Sequence, residues 1–169
     1  MKHLKKLLLV AIFIIGLVDI AQAQKTAHIN TDKLLANMPE TKSVQAELEK
    51  LKKTYNDDIE AMIKKLQDKL KKYEAEGKLQ TQEENEKRAI EIQKDRVKIG
   101  EAEQTATEEM RKMFQEKTLP ILKKAEQAIK TVANEKGIIY VFDAAPGKGL
   151  IVYEKGEDIY DEVKSKLGF

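Results

Sequence analysis

Over residues 40–73 apolar side chains recur at Val44, Leu48, Leu51, Tyr55, Ile59, Met62, Leu66, Leu70 and Tyr73, in steps of three and four. The mean period is about 3.6, that of one face of an α-helix. An 11-residue repeat, Leu51, Met62 and Tyr73, is embedded in it. The seam is therefore expected to run nearly straight or slightly right-handed, unlike a strict heptad. Positions between are mostly Lys, Glu, Asp and Gln, the solvated faces of a packed helix. Pro39 suits the first helical turn and disfavours a helical Met38.

The apolar period lapses over 74–82, where Gly77 marks a turn. A second helix is predicted over about 83–135. Its seam is thin at first (Ile90, Val97, Ile99, Ala102, Ala106) and thicker later (Met110, Met113, Phe114, Ile121, Leu122, Ala125, Ile129, Val132). At ~1.5 Å per residue the two helices would be ~54 Å and ~80 Å long. A short loop makes them antiparallel, with a polar, mobile tip. Gly100 and Pro120 weaken the second helix, by ~1 and ~3 kcal/mol relative to Ala. Pro120 also removes a donor and crowds the carbonyl of Glu116. It implies a static kink, a new helix capped by Thr118, or a pivot.

The flanks read differently. Residues 25–30 suggest a short strand, and Asn30 or Thr31 can cap a single turn over 32–37 with Leu34 and Leu35 on its inner side. After Gly137, a natural C-cap, residues 138–142 are β-rich. Turn chemistry at Pro146-Gly147 and Gly149 then leads to a second strand over 150–153, predicting a β-hairpin. A last helix is expected over 157–167, with Glu157 and Asp158 in its first turn and Lys164 and Lys166 in its last.

The fold class is thus α+β: a long antiparallel helical hairpin over 39–135, tip near 74–82, projecting from a small strand-containing base made of 24–38 and 136–169. A base of fewer than 50 residues is marginal alone and usually needs disulfides, metal or oligomerisation. The chain has no Cys and no metal-ligand cluster, which leaves oligomerisation, with strands of other protomers covering open sheet edges. Ile29, Leu34, Leu35, Val141, Phe142 and Ile151 are the expected contacts of that base.

Residues 1–23 change the charge picture. Lys2, Lys5 and Lys6 precede an apolar run over 7–18, and Ala21-Gln22-Ala23 is a small-x-small cleavage site, as in a secretory signal peptide. The chain carries 31 basic and 29 acidic residues. Without the leader's three lysines and Asp19 the two signs balance. A neutral mature chain is a poor generic nucleic-acid binder. Five lysines, Lys64, Lys65, Lys69, Lys71 and Lys72, cluster on the distal arm with one acid among them. This is a solvated helix face or a patch with at most weak attraction to anionic membrane surfaces.

Candidate chemistry is sparse. After the leader the sole histidine is His28 and the serines are Ser43 and Ser165. Gly147-Lys148-Gly149 lacks the upstream glycine, the Ser/Thr and the βαβ context of a P-loop. No catalytic residues, cofactor site or metal site are predicted, and the chain is not read as an enzyme.

Together these residues resemble the Skp/OmpH family of periplasmic chaperones. The likeness begins at Ala27-His28-Ile29-Asn30-Thr31-Asp32-Lys33-Leu34-Leu35. It is most specific at Ala128-Ile129-Lys130-Thr131-Val132-Ala133-Asn134-Glu135-Lys136-Gly137 and Ile139-Tyr140-Val141-Phe142-Asp143-Ala144. The resemblance implies a soluble periplasmic homotrimer whose arms enclose unfolded outer-membrane β-barrel proteins without ATP. Met62, Leu66, Leu70, Tyr73, Val97 and Met110 would then face the client. The pivot reading of Gly100 and Pro120 comes from the helix alone, since Pro120 lacks a counterpart in family members. The rival reading is an envelope coiled-coil spacer or adaptor. The neutral charge departs from strongly basic family members, so polyanion binding carries over poorly.

Overall fold

A computed structural model describes residues 25–148, 151 and 154–169. Its order is β1 (Thr26–Ile29), α1 (Thr31–Asn37), α2 (Pro39–Glu76), a 3₁₀ turn (Gly77–Leu79), α3 (Gln82–Lys136), β2 (Tyr140–Asp143), β3 (Glu157–Asp158) and α4 (Tyr160–Leu167). The chain separates into two compact units: Ala36–Lys123, and the described residues up to Leu35 together with Lys124–Phe169.

The first unit is a helical hairpin. Pro39 opens α2 and Met38 before it is extended, at φ −63° and ψ 130°, as the proline ring requires. Val44 is buried, and Leu48, Leu51, Tyr55, Ile59, Met62, Leu66 and Tyr73 are half-buried. The expected stripe therefore faces inward, except for Leu70, which is exposed. At the turn the Asn85 side chain donates to the Gly77 carbonyl at 2.9 Å, and Thr81 Oγ1 accepts the N–H of Glu84 at 3.2 Å. This satisfies helix-end groups that would otherwise lack partners. The ion pairs Glu76–Arg88, Lys69–Asp95 and Glu47–Lys117 descend α2 as they ascend α3, so the helices are antiparallel.

The inner face of α3 departs from expectation. Ile92 and Ala106 are buried and Arg88, Asp95, Ile99, Ala102, Met110 and Met113 half-buried, whereas Ile90, Val97, Phe114 and Leu122 are exposed. At 3.6 residues per turn Ile90 and Val97 lie on the side of α3 opposite Ile92, Asp95 and Ile99. Apolarity alone picked the wrong face because Arg88 and Asp95 occupy seam positions through charge pairing. The helix also runs through Pro120 without interruption, so Thr118 does not start a new one.

In the second unit β1 is the central strand, parallel to β2 on one side and β3 on the other. Asn30 caps α1 by accepting the N–H of Lys33 at 2.8 Å. Gly137, at φ +66°, closes α3: its N–H and that of Ile138 return to the carbonyls of Asn134 and Ala133, a left-handed cap that a Cβ would strain. Ile29, Leu34, Ile159 and Val163 are fully buried. Each such side chain contributes about 1.5–3 kcal/mol. Lys136 anchors the end of α3 to Glu157 at 2.8 Å and to Glu162, and its pKa is raised by the hydrogen bonds to Glu157 and Glu162.

Two expectations about this unit need correction. The expected helix over 157–167 begins at Tyr160, because Glu157 and Asp158 pair with Ala27 and His28 and Ile159 N–H donates to the His28 carbonyl at 3.1 Å. The β-run after Gly137 starts at Tyr140 and pairs in parallel with β1. Of its proposed hairpin partner, Leu150, Val152 and Tyr153 lie outside the described residues, and Ile151 is not in a strand.

Candidate functional site

The distal seam of the arm is polar where its proximal part is apolar. Lys69 reaches across from α2 to Asp95 and, at 2.7 Å, to Glu91 of α3. The Tyr73 hydroxyl donates to the other Glu91 oxygen at 2.5 Å. Arg88 lies 4.5 Å over the Tyr73 ring and pairs with Glu76 at 2.8 Å and with Glu84 at 3.7 Å. Its Nη1 is buried without a partner among the described residues. These contacts hold the two helices together by charge where an ordinary seam would use leucines.

The pairing shifts Lys69, Glu91 and Tyr73. Hydrogen bonds to Asp95 and Glu91 push the Lys69 pKa well up. The Lys69 hydrogen bond, then that from Tyr73, pulls Glu91 below its ordinary 4.5. The bond to Glu91 raises Tyr73. A carboxylate with a depressed pKa contributes stability above its ordinary value that is lost as pH falls through the folded one. The distal arm is therefore expected to be closed at neutral pH and to loosen as pH falls below the ordinary carboxylate range and through the depressed Glu91 value. High salt should act in the same direction. Lys69→Ala is expected to remove the salt response and to lower amide protection in 66–76 and 88–95, measured by hydrogen exchange at 50 mM and 1 M NaCl. Unchanged protection in the variant would show that the apolar seam alone holds this region.

Other expected residues fall in several places. Met62, Leu66, Tyr73 and Met110 are half-buried in the seam, while Leu70 and Val97 are exposed. Lys64, Lys65, Lys71 and Lys72 are exposed, but Lys69 is occupied by its two carboxylates. Gly100 has open space around it and Pro120 is exposed within α3. In the other unit Ile29 and Leu34 are buried within the chain's own fold, Leu35, Val141 and Ile151 half-buried, and Phe142 exposed. His28 is buried in β1 with Nε2 3.4 Å from Glu154.

The sequence reading missed the partners of Lys69, namely Glu91 and Asp95, and the exposed Leu119 and Tyr140. The pairs 69/91, 69/95 and 76/88 fold the chain about residues 80–82, whereas a turn centred on Gly77 would set 69 against 85, so the visible turn residue alone did not give the register. Tyr140 and Phe142 project from the same face of β2, an edge strand among the described residues, with ring centroids 6.4 Å apart, and Ile139 beside them is 60% exposed. Among the described residues no acidic or histidine cluster is suited to a metal ion, and no helix is long and apolar enough to cross a membrane.

Polar long-armed hairpin, small parallel sheet and capped α1 together define a known class. The family described as "Outer membrane protein (OmpH-like)" matches residues 25–167, and the chain belongs to that family, the Skp/OmpH family. A protein named Chaperone protein Skp from Photorhabdus luminescens is 30% identical over 144 residues, 83% of this chain and 87% of its own length. Another of that name from Yersinia enterocolitica is 27% identical over 123 residues, 73% of this chain and 75% of its own. These relatives are chaperones, not enzymes. The crystal structure of a putative outer membrane chaperone (OmpH-like) from Caulobacter crescentus shares the fold, with a TM-score of 0.74 at 16% identity over 84% of this chain and 82% of that one.

Proposed function

We propose that this protein is an ATP-independent periplasmic holdase, exported by its N-terminal leader, that keeps unfolded outer-membrane β-barrel proteins from aggregating. The observation that carries this reading is the distribution of apolar side chains on the arm. Ile90, Val97, Phe114, Leu119 and Leu122 stand exposed on a heavily charged helix, singly or, for Leu119 and Leu122, as one neighbouring pair. Each offers an unfolded β-strand a weak apolar contact, and none builds a patch large enough for self-association. Many weak contacts suit a client with no fixed shape, and membership of a family with chaperone relatives points the same way.

The working form is a homotrimer with the client held between the arms. Supporting it are the small base, β2 at the edge of the sheet among the described residues, and the exposed Ile139, Tyr140 and Phe142 on and beside that strand. Replacing Tyr140 and Phe142 with Lys is expected to give monomers by light-scattering mass with an unchanged far-ultraviolet spectrum. A trimer surviving both substitutions would move the interface elsewhere. Pro120 is proposed as a pivot of the arm. Pro120→Ala should then narrow spin-label distance distributions along the chain, and identical distributions would remove that role.

The decisive experiment dilutes a urea-unfolded outer-membrane β-barrel into buffer with the purified protein and no nucleotide, following turbidity. Suppression saturating near three chains per client is the expected result. Absence of suppression at every ratio would favour the spacer reading. That rival wants an apolar docking patch at the tip, where over 74–82 Leu79 is the one large apolar residue, 84% exposed.

A further inference from the structure

Beside the Lys69 clasp the two arm helices part into a groove of about 350 Å³, lined by Met62, Lys65, Leu66 and Lys69 of α2 and by Asp95, Lys98 and Ile99 of α3. This is at the small end of the ~300–1,000 Å³ typical of ligand pockets. Met62, Leu66 and Ile99 are half-buried and form its apolar floor. Its polar groups are unevenly committed. Asp95 and Glu91 share the single charge of Lys69, so both carboxylates are held by that one ammonium. Lys65 and Lys98 are exposed and pair with no carboxylate among the described residues. The groove therefore presents an apolar floor between two uncommitted cations.

We infer that this groove is a side-chain subsite for unfolded clients, taking one bulky apolar or aromatic residue whose sequence neighbours are acidic. The inference rests on the holdase reading and adds a preference to it. The apolar side chain covers Met62, Leu66 and Ile99, and carboxylates one or two residues away meet Lys65 and Lys98. Charge complementarity selects this occupant: a flanking lysine would face two like charges, and like-charge juxtaposition discriminates more strongly than attraction rewards. The contact is weak and reversible, as a holdase needs, and charge steers the encounter.

The chain contains no tryptophan, so a tryptophan placed in a probe reports without background. The probe is a 12-residue unstructured peptide carrying Asp-Trp-Asp, titrated into the full protein by fluorescence. A blue-shifted, saturable emission is expected, weakening as NaCl rises. Binding should be about tenfold weaker to the Lys65→Glu/Lys98→Glu protein, and also for a peptide carrying Lys-Trp-Lys. Lys65→Gln/Lys98→Gln serves as the milder variant if the reversal disturbs the clasp. A benzophenone replacing the tryptophan should crosslink within 62–69 and 95–99. Equal binding by both lysine variants, crosslinks confined to other segments, or no binding by the unaltered protein would each overturn the subsite. The turbidity assay run alongside separates the two claims. If client protection persists while the peptide results fail, the groove is wrong and the holdase stands; if protection is absent, both fall.

Discussion

A chain in which residues 64–98 are replaced by a short Gly-Ser turn is expected to lose at least nine-tenths of its ability to suppress client aggregation while remaining folded and assembled. The expectation has two parts, and each follows from where contacts lie. Every hydrogen bond and ion pair of the Lys69–Arg88 network falls within the removed segment, as do the exposed Ile90 and Val97 and the groove residues Leu66 and Lys98. What remains of the hairpin keeps the buried Val44 and Ala106 and the 3.0 Å pair between Glu47 and Lys117. The second unit keeps all of its described residues. Ile63 and Ile99 would be joined across neighbouring positions of antiparallel helices, a span a few residues close at small entropic cost. Sedimentation mass and turbidity measured on the same preparation test the two parts separately. Loss of assembly would show that the arms hold the protomers together. Retained protection would put client contacts on Phe114, Leu119, Leu122 or the sheet edge.

How far the sequence could be read depended on what kind of force set each position. The α2 seam was legible because burial of apolar side chains at a 3.6 period is the usual helix signal, and eight of its nine expected residues do face inward. The α3 seam was misread between 88 and 99 because its inward positions are Arg88, Ile92, Asp95 and Ile99, and the charged groups there are held by partners 12 and 26 residues earlier in the chain. A pattern argument that scores only apolarity puts Ile90 and Val97 inside. Turn and cap residues were legible: Pro39, Gly77, Asn30 and Gly137 act locally, and each sits at the element boundary its chemistry implies. Strand pairing was not, because the parallel pairing of β2 with β1 is made by contacts more than 100 residues apart in sequence. Glu157 and Asp158 likewise make a good first helical turn in isolation, and give it up to the open edge of β1. The exposed apolar residues could not be separated from seam residues until the register of the helices was known.

That long-range choice predicts the second large effect. Asp143, the last residue of β2, is expected to destabilise the chain by about 2–3 kcal/mol when replaced by Ala, lowering the melting temperature by on the order of 10 °C. Its carboxylate accepts the Thr31 hydroxyl at 2.7 Å and the Thr31 N–H at 3.3 Å, so it ties the end of one edge strand to the start of α1, more than 100 positions away in sequence. It also accepts the N–H of Ala145 at 3.0 Å, turning the chain after β2. Burial alone would raise its pKa, but the bonds from Thr31 and Ala145, helped by the Lys148 charge, outweigh that and hold it below the ordinary 3.8. Because the folded value is depressed, its contribution is present above about pH 4 and fades as pH falls through the folded pKa. The gap in melting temperature between the unaltered chain and Asp143→Ala should therefore be full at pH 7 and shrink towards pH 3. Asp143→Asn, which keeps an acceptor for one of the Thr31 bonds and loses the charge, should fall between them. A gap that stays constant across this range would mean that Asp143 acts through its shape in the β2–α1 corner. The charge-assisted bonds to Thr31 would then not be what fixes α1 against the sheet.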